Sequence, residues 1–425
     1  MRRGREGGKG QEAVDACPGI LTLHPARDGH VARIRLPGGY VSRAQWTALA
    51  VLAGELGDGA LDLTSRGNVQ LRGLPAAAGA ALARRASSAD LLPSGPHDRS
   101  RNITGSPLAG LGGRPPLRRL VRALDAAIVA DAALATLPGR FLFAVDDGSG
   151  GAGLAASDIG LRRAGKQVEM IIAGRLAGVR LPVAAAVPAA VTAARAAVSC
   201  GVGGVVTRIA DLADGGARVA AAIGGSLGPR VAASDARLRL GPQGAAGSPM
   251  LVVAAPLSRL GRRQAALIGG LLRAGEVLRL GTAGRVVIPL AQPPTAALAL
   301  LAGSGLLTSD GDERAGVTAC SGTACLQAAA DVRALARPLP GHPRTHWAAC
   351  PRGCGRPPDA ELVVAAGPDS FLMSGQPTAR PLAVLTRSPA GRALMHRLPS
   401  SLVPRSSVQA APRPSGSVNG LAGAP

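Results

Sequence analysis

The sequence predicts an α+β protein built as two related halves about a pseudo-twofold axis, and three observations carry that expectation. A strand-helix-strand unit in residues 30–72 returns in residues 250–290. Within the repeat, Leu61, Leu63, Gly67, Val69 and Leu71 fall on Leu278, Leu280, Gly284, Val286 and Ile288 at a constant offset, with no gap. Order, spacing and glycine position agree although identity is thin, which marks an internal duplication. After the second unit, Cys320, Cys325, Cys350 and Cys354, four of the six cysteines, crowd into one stretch bearing Gly and Pro, the makings of a thiolate-ligated metal centre.

A chain of 425 residues is too long for one ordinary core and predicts two to four domains. It is 47% hydrophobic with only three Phe, two Trp and one Tyr, so its interior must be packed from aliphatic side chains. The formal charge of +22 comes almost wholly from arginine, lysine standing only at Lys9 and Lys166. Codon bias accounts for such a balance as well as an electropositive cleft does. Base-stacking aromatics are almost absent, which argues against a nucleic-acid partner and for a small polyanion gripped by guanidinium forks. The basic N-terminus has no apolar stretch behind it, and Leu181–Val198 is broken by Pro182, Pro188 and Arg195, so neither a secretory signal nor a membrane span is expected. Clustered cysteines in a chain of this size point to a reducing compartment, the cytoplasm.

The elements are expected in the following order. Residues 1–12 form a Gly- and Arg-rich tail, and the first half runs over 13–77. It holds a strand His30–Leu36, a Pro37-Gly38-Gly39 turn, a helix Ser42–Leu56 capped by Ser42, and a strand Ala60–Arg72. Residues 78–215 follow with a helix Leu117–Leu134, antiparallel strands in Phe141–Gly148 and Ser157–Gly174, and an Ala-rich helix Pro188–Val198 with its proline in the first turn. The second half, 216–293, repeats the unit as a strand Met250–Ala255, a helix Arg259–Ala274 and a strand pair in Glu276–Leu290. Residues 294–400 bring a helix Thr295–Ala302 and the two cysteine loops flanking a helix at about 326–336, and 401–425 are a low-complexity tail.

The cysteines come as Cys-x4-Cys and Cys-x3-Cys, spacings that leave both a structural zinc site and an iron-sulfur cluster open. GSGGAG, residues 148–153, has dinucleotide-loop spacing but leads into a strand, so it reads as a loose hairpin rather than a phosphate cradle. In TSRGNVQLR, alternation places Arg66, Asn68, Gln70 and Arg72 on one strand face. That face is either solvated or, having no acid to neutralise it, a binder of carboxylates. Arg99, Arg101 and Asn102 form a second such group, and no histidine is assigned to metal.

These motifs resemble the nitrite and sulfite reductase superfamily, in which a half-domain bearing LTSRGNxQLRGL is duplicated and paired cysteine loops hold a 4Fe-4S cluster. Within it, DACPGILTLHPARDGHVARIRLPGG, the DDGSG and SDIGL segments and HWAACPRGCGRP are most similar to the precorrin-3B synthases, over roughly residues 17–373. The resemblance implies duplicated ferredoxin-like half-domains plus two mixed α/β sulfite-reductase-type domains. It implies a monooxygenase that hydroxylates the tetrapyrrole precorrin-3A at C-20 with O2 and electrons from NADH and closes a lactone; with no nucleotide fold visible in the sequence, a separate reductase is expected to deliver those electrons. Cys320, Cys325, Cys350 and Cys354 would hold the 4Fe-4S cluster, Arg66, Asn68, Arg72 and Arg101 would bind substrate carboxylates, and a mononuclear non-haem iron would be needed as well. The alternative is a sirohaem-dependent assimilatory sulfite or nitrite reductase. Three departures stand out: one residue fewer between Cys320 and Cys325 than is usual, LRLGTAGRVV with Arg285 in the second half, and Lys166 as the lone lysine for the anion wall.

Overall fold

The computed structural model describes residues 17–233, 238–244, 249–339, 342–357, 360–365, 371–374 and 380–381. The expected tails, 1–12 and 401–425, lie outside them. Among the described residues, no helix is long and apolar enough to cross a membrane. The named strands form four five-stranded sheets.

The first half opens with β1 (His24–Ala26), β2 (Gly29–Ile34) and β3 (Tyr40–Ser42), then α1 (Arg43–Leu56), β4 (Leu61–Leu63), β5 (Val69–Leu74) and α2 (Ala78–Ser88). Ser42 caps α1 as expected, its hydroxyl accepting from the Gln45 N–H while the Gln45 side chain accepts from the Ser42 N–H. The expected single strand Ala60–Arg72 is instead the hairpin β4–β5, with Leu63 opposite Val69. Its turn needs Gly67 at φ +67°, a conformation that costs other residues about 1–2 kcal/mol.

The next segment holds β6 (Ile103–Gly105), α3 (Arg118–Val129), β7 (Phe143–Asp146), β8 (Ile159–Ala164), β9 (Gln167–Ile172), β10 (Arg175–Pro182), α4 (Val183–Ser199) and α5 (Ala217–Ala221). The expectation of an all-antiparallel sheet fails at its start, because β6, β7 and β8 are parallel neighbours and only β8, β9 and β10 alternate in direction. GSGGAG is therefore a crossover and not a hairpin. Helix α4 begins earlier than expected, which puts Pro188 inside it.

The second half contains β11 (Gly241–Gln243), β12 (Met250–Ala254), β13 (Arg259–Leu260), α6 (Arg262–Gly270), β14 (Val277–Leu280), β15 (Arg285–Pro289) and α7 (Thr295–Gly303). The expected helix from Arg259 starts later because Arg259 and Leu260 are drawn into a strand, and the Gly261 N–H is then satisfied by Gln264. Hairpin β14–β15 repeats β4–β5 down to its turn, where Gly284 has the same φ of +67° as Gly67. The halves exchange strands: β13 pairs with β4, and β3 pairs with β14. One core fills the space between the two sheets, joining Trp46, Leu49 and Leu52 of α1 to Ile268 of α6 and to Leu61, Leu71, Leu251 and Val286 of the strands. The Trp46 indole donates to the Ala265 carbonyl at 2.8 Å, tying the two helices together.

The last sheet comprises β16 (Val317–Ala319), β17 (Thr345–Ala348), β18 (Glu361–Ala365), β19 (Phe371–Ser374) and β20 (Arg380–Pro381), with α8 (Val332–Leu335) between the first two strands. Its strand directions match those of β6–β10, three parallel and then alternating, so the duplication extends to the second pair of sheets. Helix α8 is shorter than expected. The Asp331 side chain caps it at the Ala334 N–H, so it starts only at Val332, and Pro338 soon follows.

Candidate functional site

The four cysteines are brought together by two parallel strands that end side by side. Ala319 is in register with Trp347, so Cys320, just past β16, and Cys350, just past β17, leave the same edge of the sheet. Cys325 and Cys354 follow at the far ends of the two loops. The Cys354 thiol is pushed above its ordinary pKa, by burial first and then by Cys350, Cys320 and Cys325, so the four thiols share one electrostatic neighbourhood. Cys320 Sγ accepts the backbone N–H of Gly322 at 3.4 Å and of Ala349 at 3.2 Å. Amide donors of this kind stabilise metal-bound thiolates. At the matching ends of β6 and β7 there is no cysteine; Ser106 donates instead to Asp146 at 2.9 Å.

Among the described residues, no three His, Cys, Asp or Glu side chains converge tightly enough to hold a single metal ion. The donor chemistry, four thiols in one neighbourhood with amides aimed at one of them, fits a thiolate-ligated iron-sulfur cluster. His346 lies beneath the second loop, its Nδ1 2.9 Å from Thr318 Oγ1, and burial lowers its pKa to about 4.

The first cysteine loop is anchored on the β4–β5 hairpin. Arg72 forms a fork to Asp28 at 2.9 and 3.0 Å and also donates to Ser321 Oγ at 3.3 Å and to the Ala324 carbonyl at 3.1 Å. Arg72 is thus engaged inside the protein. Arg101 is likewise engaged, forked to Asp125 at 2.8 Å on both oxygens. Asn68 is buried, accepting the Leu36 N–H at 2.9 Å and donating to Asn102 at 3.2 Å. The expected single-face alternation also fails, because Arg66 and Asn68 lie in the turn that precedes β5.

Arg66 is the expected anion ligand that stands among other cations. It donates to the Arg140 carbonyl at 3.3 Å, and its pKa is lowered to about 10, by burial first and then by Arg208 and Arg33. Arg35 is buried completely enough to lower its pKa to about 9, and donates to Asn102 and to the Gly139 carbonyl, each at 3.0 Å. Both remain guanidinium ions at neutral pH. Cys17 lies within the field of Arg35 and Arg66, on a loop pinned by Asp98, which accepts the Ile20 and Leu21 N–H groups. Sequence reasoning missed Arg33, Arg35 and Arg208. The first two were legible as alternating residues of HVARIRL, whereas nothing in the sequence ties Arg208 to the hairpin.

The sheet face that carries Arg33 is matched in the second half by an apolar cluster, Met250, Val252, Ala254 and Val287 with Leu240 and Leu307. That face is therefore cationic in the first half and apolar in the second. The GSGGAG amides are turned inward: Asp146 accepts the N–H groups of Gly148, Gly150 and Ala152 at 2.8, 2.9 and 2.9 Å.

Residues 24–88 match one known family. That family is the nitrite/sulfite reductase ferredoxin-like half domain. The matched stretch includes the β4–β5 hairpin, with Arg66 and Arg72. Over most of its length the chain is similar to a precorrin-3B synthase from Sinorhizobium sp, 27% identical over 424 residues that cover 89% of this chain and 87% of that one. It is 36% identical over 127 residues to a ferredoxin–nitrite reductase of Synechococcus elongatus, 28% of this chain and 25% of that one. In fold it is similar to the Mycobacterium tuberculosis NirA protein, with a TM-score of 0.67 at 17% identity, covering 87% and 86% of the two chains. The duplicated architecture read from the sequence agrees with that fold.

Proposed function

We propose that this chain is a precorrin-3B synthase, an oxidoreductase of tetrapyrrole synthesis. The observation that carries the reading is the similarity, over 89% of this chain, to a protein of that name, and a group of arginines around Arg66 and four clustered thiols support it. Cys320, Cys325, Cys350 and Cys354 hold a 4Fe-4S cluster, which supplies single electrons when bound. Arg66 binds a carboxylate arm of precorrin-3A, and Arg33 and Arg208 extend the wall. Arg72, Asn68 and Arg101 act behind it: Arg72 fixes the cluster loop to the hairpin, Asn68 holds the Leu36 backbone and Asn102, and Arg101 clamps Asp125. In the reaction, one atom of O2 becomes the C-20 hydroxyl and the other leaves as water, consuming two electrons and two protons.

The electrons start from NADH and arrive through a separate reductase. The inward-turned GSGGAG amides support this, since they are taken up by Asp146 rather than left for a nucleotide phosphate. The family resemblance also implies a mononuclear non-haem iron, to which no step is assigned. The protein works in the cytoplasm, without nucleic-acid or membrane partners. The second reading, a sirohaem-dependent nitrite or sulfite reductase, is favoured by the nitrite reductase match within the shared fold.

Optical spectra of anaerobically purified protein separate the two. Broad cluster absorption without sirohaem bands is expected, and intense Soret and red bands would replace the synthase reading with the reductase. Cys354→Ala is expected to abolish the iron-sulfur signal; full retention of iron and sulfide would overturn the ligand set.

A further inference from the structure

Beneath the first cysteine loop lies a group of charges that substrate binding does not explain. Asp62 is buried on β4, with the guanidiniums of Arg259, Arg333 and Arg72 at 3.0, 3.8 and 3.9 Å. Arg333 spans from this carboxylate to the loop itself. Its Nε donates to the Cys320 carbonyl at 2.9 Å and its Nη2 to the Leu257 carbonyl at 3.4 Å. Its stem lies under the Gly322 turn, where an added Cβ would come within 3.4 Å of Arg333 Cγ. Burial lowers its pKa, while Asp62 and Cys320 act to raise it. The side chain is 23% exposed, so water screens its charge only in part.

We propose that Arg333, backed by Arg72, sets the reduction potential of the centre held by the four cysteines, and that Asp62 opposes it. The inference rests on the reading of those thiols as cluster ligands. When the centre accepts one electron, its negative charge grows by one. A fixed, partly buried cation nearby stabilises that reduced form and moves the potential positive, and a carboxylate moves it negative. The arrangement also binds hairpin to cluster, since Arg72 and Asp62 belong to the same β4–β5 unit whose turn carries Arg66.

The test is a redox titration of the full-length, anaerobically purified chain, followed by the EPR signal of the reduced centre. Arg333→Gln removes the charge and keeps a donor for the Cys320 carbonyl; its midpoint is expected to move negative. Arg333→Lys keeps the charge and should stay near the parent. Asp62→Asn should move the midpoint positive. Arg85→Gln, on an exposed pair with Glu55, should leave it in place. An unmoved or more positive Arg333→Gln variant overturns the proposal, as does a lysine variant that shifts as far as the glutamine one. If Arg333→Gln loses the centre altogether, the opposite-signed shift in Asp62→Asn decides. A parent protein with neither iron nor sulfide would remove the cluster reading itself, whereas a loaded parent with an unmoved Arg333→Gln variant removes only the charge assignment.

Discussion

Arg259, carried on a strand of the second half, stands 3.0 Å from the carboxylate of Asp62 in the first, and the two residues are partners in register across the seam. At the mate of that seam, Arg279 of β14 lies opposite Tyr40 of β3, its guanidinium carbon 5.8 Å from the ring centre. The same kind of strand exchange is therefore closed by an ion pair on one side and by a cation over a phenol on the other.

These two seams predict opposite responses. Arg259→Met leaves Asp58 and Asp62 without their shortest contacts and should destabilise by about 1–3 kcal/mol, discounted because Arg259 is partly exposed. Arg279 is buried against the Tyr40 ring, and that burial lowers its pKa. Arg279→Met should then be neutral or stabilising. Urea midpoints of the two variants check the contrast.

Arg66→Ala should weaken tetrapyrrole binding by about 1.5–3 kcal/mol for each charge-assisted hydrogen bond removed, with the fold intact. Arg101→Ala should instead lower the unfolding midpoint, because it leaves Asp125 without its fork. Binding measured by fluorescence quenching, beside thermal melts, separates the two effects. Unchanged affinity in Arg66→Ala would return that residue to a solvated turn.

Gly67→Ala and Gly284→Ala should each cost about 1–2 kcal/mol from the left-handed backbone alone. Contact adds to the cost, since a Cβ at Gly67 would meet the Leu280 carbonyl at 2.9 Å and one at Gly284 would meet Ser258 Cα at 2.7 Å. Denaturant unfolding measures both, and a silent substitution at either site would contradict the shared turn.

Burial raises the pKa of Asp98 above the ordinary carboxylate value, despite its bonds to the Leu21 and Ile20 N–H groups. Between that ordinary value and the raised one, the folded protein binds more protons than the unfolded chain. The contribution of Asp98 to stability therefore falls as pH rises through the window. Asp98→Asn should remove this slope, so the stability difference between variant and parent should move in the variant's favour as pH rises. Urea unfolding at a series of pH values above 4 provides the measurement.

The repeat was legible, although its first copy read as one strand, because its constraint is local: a turn of fixed length needs glycine at one place, and Gly67 and Gly284 supply it. The strand exchange was not legible. It rests on pairings as short as Arg259 with Asp62 and Leu260 with Leu61, between segments far apart in sequence. The cysteine spacing named the ligand candidates, yet only the parallel register of Ala319 with Trp347 explains why the loops meet. Polar residues proved the hardest to read. Arg72 and Arg101 look like substrate ligands in the sequence because their acids, Asp28 and Asp125, come from elements whose placement alternation does not reveal.

The pairing of β4 with β13 has a consequence for synthesis on the ribosome. Asp62 and Arg259 are separated by 197 residues. At cellular elongation rates of about 5–20 residues per second, the first sheet waits on the order of 10–40 s before its closing strand is made. Through that interval the edge of β4 offers unpaired amides and carbonyls to any neighbouring chain. The first sheet is therefore closed only once the second half has been made.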